Sequence, residues 1–296
     1  MWIVYAFIAN VCWSVSDILN SILVRHYHRN PLLLAWVQCI FDCSFFLLLG
    51  FFFDVSTTWT LPFLLAGIST YAAFLTFFYV LDRVDVSVMN AAWAFMAIVI
   101  SIGGMFLFGE VWSLQQTIGV LLVLGGVFFL SYWHQHVSVG RTIGLLTLLG
   151  VLYAPLFLTQ KAALLAGESV LATFYWPFFF SKICGLFYPL SRKTSRQNIR
   201  DACTSLRSSF ILFSIIATTC SIAGMYFITI AFKIGLVSLV SMTENAQPFI
   251  AIFLAWIVSR IMPSIAPREL LTAQSVQIKI VSFIIVFTGL ALLALG

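Results

Sequence analysis

The sequence predicts an all-α polytopic membrane protein, ten transmembrane helices arranged as two inverted five-helix repeats. Three observations carry that prediction. Hydrophobic residues make up 62% of the 296 and charged residues only 8%, with a mean hydropathy of +1.07, a balance that leaves no water-facing surface for a soluble domain. Ten apolar stretches each approach the roughly 20 residues that cross about 30 Å of hydrocarbon with every backbone N–H paired inside its own helix. They fall into two sets of five, and an odd number of crossings obliges the second set to lie upside down relative to the first.

The first five spans are expected near 2–24, 31–53, 60–81, 86–108 and 113–133, separated by steps that carry Arg25 and Arg29, Asp54, Arg83, and Glu110. The second five are expected near 141–165, 169–190, 208–232, 236–260 and 275–295, separated by Glu168, the basic stretch 191–207, Lys233, and the segment 261–274 with Arg268. The repeats are therefore 1–137 and 138–296. No Lys or Arg precedes Arg25 and no small-residue cleavage site follows the first apolar run, so that span is expected to stay rather than be removed as a signal peptide.

Charge sets the expected orientation. Odd-numbered loops and their helix ends hold Arg25, Arg29, Arg83, Arg141, Arg192, Lys193, Arg196, Arg200, Arg207, Arg260, Arg268 and Lys279, against only Lys161 and Lys233 on the other face. By the positive-inside rule the odd loops are cytoplasmic and both termini lie outside. The net charge of +5 thus reflects topology, and the basic loop 191–207 suits anionic headgroups rather than nucleic acid. Equivalent loops of the two halves carry opposite bias: the first loop is basic in one half and holds Glu168 in the other, and the second holds Asp54 in one half and the arginines of 192–207 in the other. Inverted copies need that reversal to keep their basic loops on one side.

Phe108-Gly109-Glu110, a short polar step, and then Thr117-Ile118-Gly119 through Gly125-Gly126-Val127 resemble the "GE" helix end and glycine-bearing fifth helix of the drug/metabolite transporter superfamily, in its EamA-type ten-helix branch. Asn245-Ala246-Gln247-Pro248-Phe249-Ile250-Ala251 is similar to that family's proline-bearing fourth-helix element in the second half, and Gly289 matches Gly126. The chain departs from the pattern where Arg260-Ile261 replaces the second GE, where 261–274 reads as an insertion, and at Gln38, where many members carry arginine. The resemblance implies a transporter of amino acids, other small metabolites or hydrophobic drugs, often moved outward.

Ionisable groups inside a bilayer cost several kcal/mol unless paired, hydrated or neutralised, so each needs a reason. Glu244 lies about eight residues into the ninth span, and Pro248 cannot donate to its carbonyl. Ser241, Asn245 and other polar side chains crowd the same stretch. Glu244 is therefore expected to line a cavity for an amine, a hydroxyl-bearing ligand or a coupling proton, or else to be a buried carboxyl held by a neighbouring helix. Asp17 shares a helix face with Trp13 and Asn20, and either lines a pathway or solvates the helix end near Arg25. Asp42 and Lys182 occupy near-equivalent positions in spans two and seven and are expected to serve structurally as intramembrane charges. Pro155 and Pro177 free the carbonyls of Val151 and Thr173. The half-to-half alignment sets Trp93 opposite Glu244 with Asn90 one turn before. With Tyr153 and Tyr226, each near a kink or polar cluster, these complete the expected substrate-binding set.

Five of the six cysteines lie inside spans without CxxC spacing, and the histidine pairs lack Cys or carboxylate company, so no metal site, cofactor or catalytic residue is expected. No His lies inside a span, which disfavours an intramembrane enzyme. The expected activity is that of a secondary transporter moving a small organic solute (amino acid, amine, or related metabolite or drug) outward across the cytoplasmic (inner) membrane by alternating access. A nucleotide-like exchanger, a lipid scramblase and a non-transporting scaffold are the alternatives. The expected partners are the solute and the bilayer, with the protein a monomer or weak homodimer.

Overall fold

The computed structural model describes residues 1–27, 31–81, 89, 92–133, 139–191, 196, 197, 199, 208–265 and 273–295. Among the described residues ten long helices follow one another: α1 Trp2–Ile22, α2 Pro31–Phe52, α3 Thr60–Leu81, α4 Ala92–Phe108, α5 Leu114–Trp133, α6 Val139–Leu165, α7 Val170–Ser191, α8 Ser208–Ile234, α9 Val237–Ile261 and α10 Ala273–Leu295. A π-helical turn, Leu23–Tyr27, extends α1, and a 3-10 turn, Thr243–Ala246, interrupts α9. Among the described residues seven spans are long and apolar enough to cross a membrane, while Trp93–Phe108, Leu114–Phe129 and Gln277–Leu293 are apolar but shorter. The expected junction of the repeats, residues 137 and 138, and most of the basic stretch 191–207 lie outside the described residues.

Large apolar side chains such as Phe51, Leu61, Phe106, Leu121 and Ile284 point outward, as a lipid-facing surface requires. The interior instead holds Asn10, Asp17, Gln38, Asp42, Gln160, Lys182, Glu244 and Gln247, all buried.

Helix pairing follows a twofold rule. The main partners are α1 with α8, α5 with α10, α3 with α6 and α7, α4 with α6, α2 with α7, and α9 with both α1 and α4. Replacing each helix by the one five places along turns α1·α8 into α6·α3 and α4·α6 into α9·α1, and returns α2·α7, α4·α9 and α5·α10 to themselves. The main helix partners are thus alike when the two five-helix sets are exchanged, and α5 and α10 approach closely at Gly119 and Gly289. A Cβ on Gly119 would come within 2.8 Å of the Gly289 carbonyl oxygen, and one on Gly289 within 2.6 Å of that of Gly119. Only bare backbones approach so closely. Gly126 packs on Val286, Ile285 and the Ser282 carbonyl oxygen of α10.

Even-numbered connections meet at one end of the bundle. Gly109 takes φ +65°, a left-handed turn that glycine tolerates, and ends α4 so that Glu110 reaches the start of α9. The Glu110 carboxylate accepts hydrogen bonds from the Val237 N–H at 2.7 Å, the Ser238 N–H at 3.1 Å and the Ser238 hydroxyl. A negative charge at a helix amino terminus satisfies otherwise orphaned N–H groups and the helix dipole together. Lys161 does the converse for α8, donating to the Phe232 carbonyl at 2.9 Å and the Gly235 carbonyl at 2.7 Å. Farther round, the Trp176 indole donates to the Val55 carbonyl at 2.6 Å, and Glu168 accepts from the Thr58 N–H and hydroxyl at 3.0 and 2.8 Å. Slight burial raises the Glu168 carboxyl, but these bonds with the Thr57 hydroxyl outweigh it and hold the group below its usual range.

Candidate functional site

Pro248 shapes the centre of the site. Without a proline N–H, α9 cannot continue its regular ladder, and the Gln247 N–H bonds to the Glu244 carbonyl in 3-10 fashion instead. That corrects the expectation of an unpaired Glu244 carbonyl, because the turn satisfies it, and the neighbouring Thr243 carbonyl accepts a side-chain bond from another helix. Asn10 of α1 meets it, donating through Nδ2 at 2.8 Å, and accepts at 3.3 Å from Gln247 Nε2. A neutral amide on α1 therefore clasps the broken segment of α9 and fixes where Glu244 points.

Glu244 is 2% exposed, and its Oε1 has no hydrogen-bond partner among the described residues. It stands on the wall of a narrow chamber of about 50 Å³ with Trp13, Asp17 and Asn20 of α1, Phe74 and Phe77 of α3, Trp93 of α4, Tyr153 of α6, Met225 of α8 and Gln247. Both repeats contribute to that wall. The Trp93 ring meets Tyr153 edge-on at 5.4 Å, and the Trp93 indole nitrogen also lacks a partner among the described residues. Behind Asn20, the Gln38 amide donates to its side-chain oxygen at 2.6 Å, so the neutral residue at the family's arginine position braces α1 rather than presenting a charge.

A second, smaller chamber of about 20 Å³ shares Phe74, Tyr153, Ser221 and Met225 with the first. Its distinguishing feature is Asp42 of α2, whose Oδ2 lies 2.7 Å from Lys182 Nζ of α7. The ammonium also sits 4.0 Å from the centroid of the Phe74 ring.

Of the sequence-derived site residues, Glu244, Trp93, Asp17, Trp13 and Tyr153 converge on the first chamber, and Asn90 lies outside the described residues. Asn245 and Ser241 are buried beside the chamber and bond within their own segment, to the Met242 and Ser238 carbonyls. Tyr226 is 38% exposed, turned away from both chambers, and packs on Phe174 and Phe227. Sequence reasoning passed over Asn10, Phe74, Phe77, Ser221 and Met225. Helical spacing from Asp17 back to Asn10 was the available signal for the first of these. The carbonyl that Pro177 frees, that of Thr173, accepts from Gln160 at 3.3 Å. Near Pro155 the neighbouring Leu152 carbonyl accepts from Ser69 at 2.7 Å, so side chains of adjacent helices bond to the backbone beside both prolines.

No curated protein matches the sequence. A solved crystal structure, titled only as that of a protein, is 15% identical, covers 99% of this chain and 97% of its own, and superposes with a TM-score of 0.71, which makes the fold common to both. Residues 1–132 match the model of the EamA-like transporter family. With its first five helices matched in this way, the chain is an all-helical multi-pass membrane protein whose first half is similar to the EamA-like transporter family.

Proposed function

We propose that this protein is a secondary transporter that carries a small organic solute, an amino acid, an amine or a related metabolite or drug, outward across the cytoplasmic (inner) membrane by alternating access. The observation that carries the reading is the Glu244 Oε1 atom, a carboxyl oxygen at membrane depth with no partner among the described residues, on the wall of a chamber that both repeats build. A polar group in that position costs several kcal/mol unless something mobile satisfies it, and a solute amine or a coupling proton does so. The flanking rings of Trp93, Tyr153 and Trp13 suit an ammonium group as well as an apolar side chain. Repeats 1–137 and 138–296 supply two near-equivalent arrangements whose interchange exposes the chamber to either side. Basic residues on the odd-numbered loops support an orientation with those loops cytoplasmic and both termini outside.

Flux measured in proteoliposomes tests the reading. Glu244→Gln should lower solute flux at least about tenfold or remove its dependence on a pH gradient, since the variant keeps the shape but neither charge nor titration. Unchanged flux and pH dependence in that variant would remove Glu244 from the mechanism, and lipid movement without solute movement would replace transport by scrambling.

A further inference from the structure

The Asp42–Lys182 pair is unusual for a structural ion pair, because it lines a cavity rather than a packed seam. Both residues are buried, at 3% and 8% exposure, both face the second chamber, and they come from α2 and α7, helices that the twofold rule maps onto each other. An ammonium carries three N–H donors. Among the described residues Asp42 is the one acceptor that Lys182 meets, its other close neighbour being the face of Phe74. Ser181 adds a hydroxyl to the same wall that has no partner among the described residues. Polar capacity is thus left over in a chamber that shares Phe74 and Tyr153 as walls with the aromatic first chamber.

Charge balance selects the ligand. A lone cation entering the pair leaves it with one surplus positive charge, and a lone anion with one surplus negative charge, each costly where the dielectric constant is low. A zwitterion leaves the total unchanged, since its ammonium takes Asp42 while its carboxylate takes Lys182 and every charge stays paired. We propose that Asp42 and Lys182 form a clip for a zwitterionic headgroup, which opens to admit the ammonium and carboxylate of one solute while the solute's apolar or aromatic side chain lies in the first chamber. The clip rests on the reading of the chamber as the transport site and adds to it the requirement for both charges. Glu244 is then left to the proton or to a polar side-chain end.

Three probes of one shape test it on the purified full-length protein: L-phenylalanine, phenethylamine, which lacks the carboxylate, and 3-phenylpropanoate, which lacks the amine. Affinity is read from ligand-induced thermal shifts and confirmed by calorimetry. Wild type should bind the zwitterion at least about tenfold more tightly than either single-charge analogue. Asp42→Asn with Lys182→Gln removes both charges together, so no unpaired ion is left behind, and should erase that preference. The exchange Asp42→Lys with Lys182→Asp keeps a pair in the same place and should keep the preference, which separates a headgroup clip from a loss of fold. Equal affinity for phenethylamine and phenylalanine in wild type, an undiminished preference in the neutral variant, or binding of none of the three would overturn the clip. The wider transport reading is judged separately by the flux of Glu244→Gln, because an amine carrier that ignores the carboxylate fails the first test and passes the second.

Discussion

Glu110 and Val237 lie 127 residues apart, and the carboxylate of the first caps the helix that the second begins, at 2.7 Å. The "GE" helix end thereby acquires a physical meaning: Gly109 turns the chain and Glu110 closes the amino terminus of the equivalent helix in the other repeat. A buried carboxylate shared among two N–H groups and a hydroxyl is a charge-assisted cap, worth on the order of 1–3 kcal/mol. Glu110→Ala should therefore lower the unfolding temperature in detergent by several degrees, and Glu110→Gln by less, because one amide oxygen still accepts. Equal melting of Ala variant and wild type would show that the cap contributes nothing.

Asn10 holds the broken segment of α9 through the Thr243 carbonyl. Replacing it by Leu removes the side-chain bonds that join α1 to this segment, a loss of about 0.5–1.5 kcal/mol each, and frees the turn that aims Glu244. Expected outcomes are a lower unfolding temperature and a solute affinity weakened beyond what the stability loss explains, measured on variant that remains folded at the assay temperature. Wild-type affinity with reduced stability would confine Asn10 to the scaffold.

Pro248→Ala should separate stability from function. Alanine restores an N–H that can bond to the Glu244 carbonyl and lets α9 run on as one regular helix. The variant should melt at or above the wild-type temperature and yet transport at least about tenfold more slowly, because a regular α9 turns Glu244 off the chamber wall. Faster or equal flux would mean that the interruption has no part in transport.

Glu168 makes a modest pH prediction. Its hydrogen bonds to Thr58 hold the folded carboxyl below its unfolded value, so the contact stabilises fully above the unfolded value, about 4.3, and is lost as pH falls through the folded value. The site is largely in water, which reduces the effect to about 1–2 °C of unfolding temperature. Between pH 7 and 3.5 the wild type should lose that much more than Glu168→Gln, and parallel losses would show that the contact does not couple to stability.

Hydropathy and charge alone made the architecture legible, because lipid permits few ways to hide a backbone. Glu244, Asp42 and Lys182 were legible for the same reason: an ionisable residue inside an apolar run demands a partner or a cavity. What sequence did not reveal is direction around a helix. Tyr226 adjoins Met225, which lines both chambers, yet one residue is about 100° of rotation and that turn carries Tyr226 toward the outside. Asn10 was missed because an uncharged amide gives no alarm in a span, although it determines the geometry of α9. The Glu244 carbonyl was misjudged since local rules recognise a missing proline donor but not the tighter bond that replaces it.

The position corresponding to Glu110 in the second half is taken by Arg260, which leans toward the Trp256 ring at 5.8 Å instead of closing a helix end. A carrier made of two identical halves would idle with no preference for either mouth. Among the described residues one rim is buttoned by a carboxylate and the other carries Arg260, so the proposed alternating-access cycle is expected to be lopsided, each 1.4 kcal/mol of inequality skewing occupancy of its two poses by about tenfold before any solute arrives.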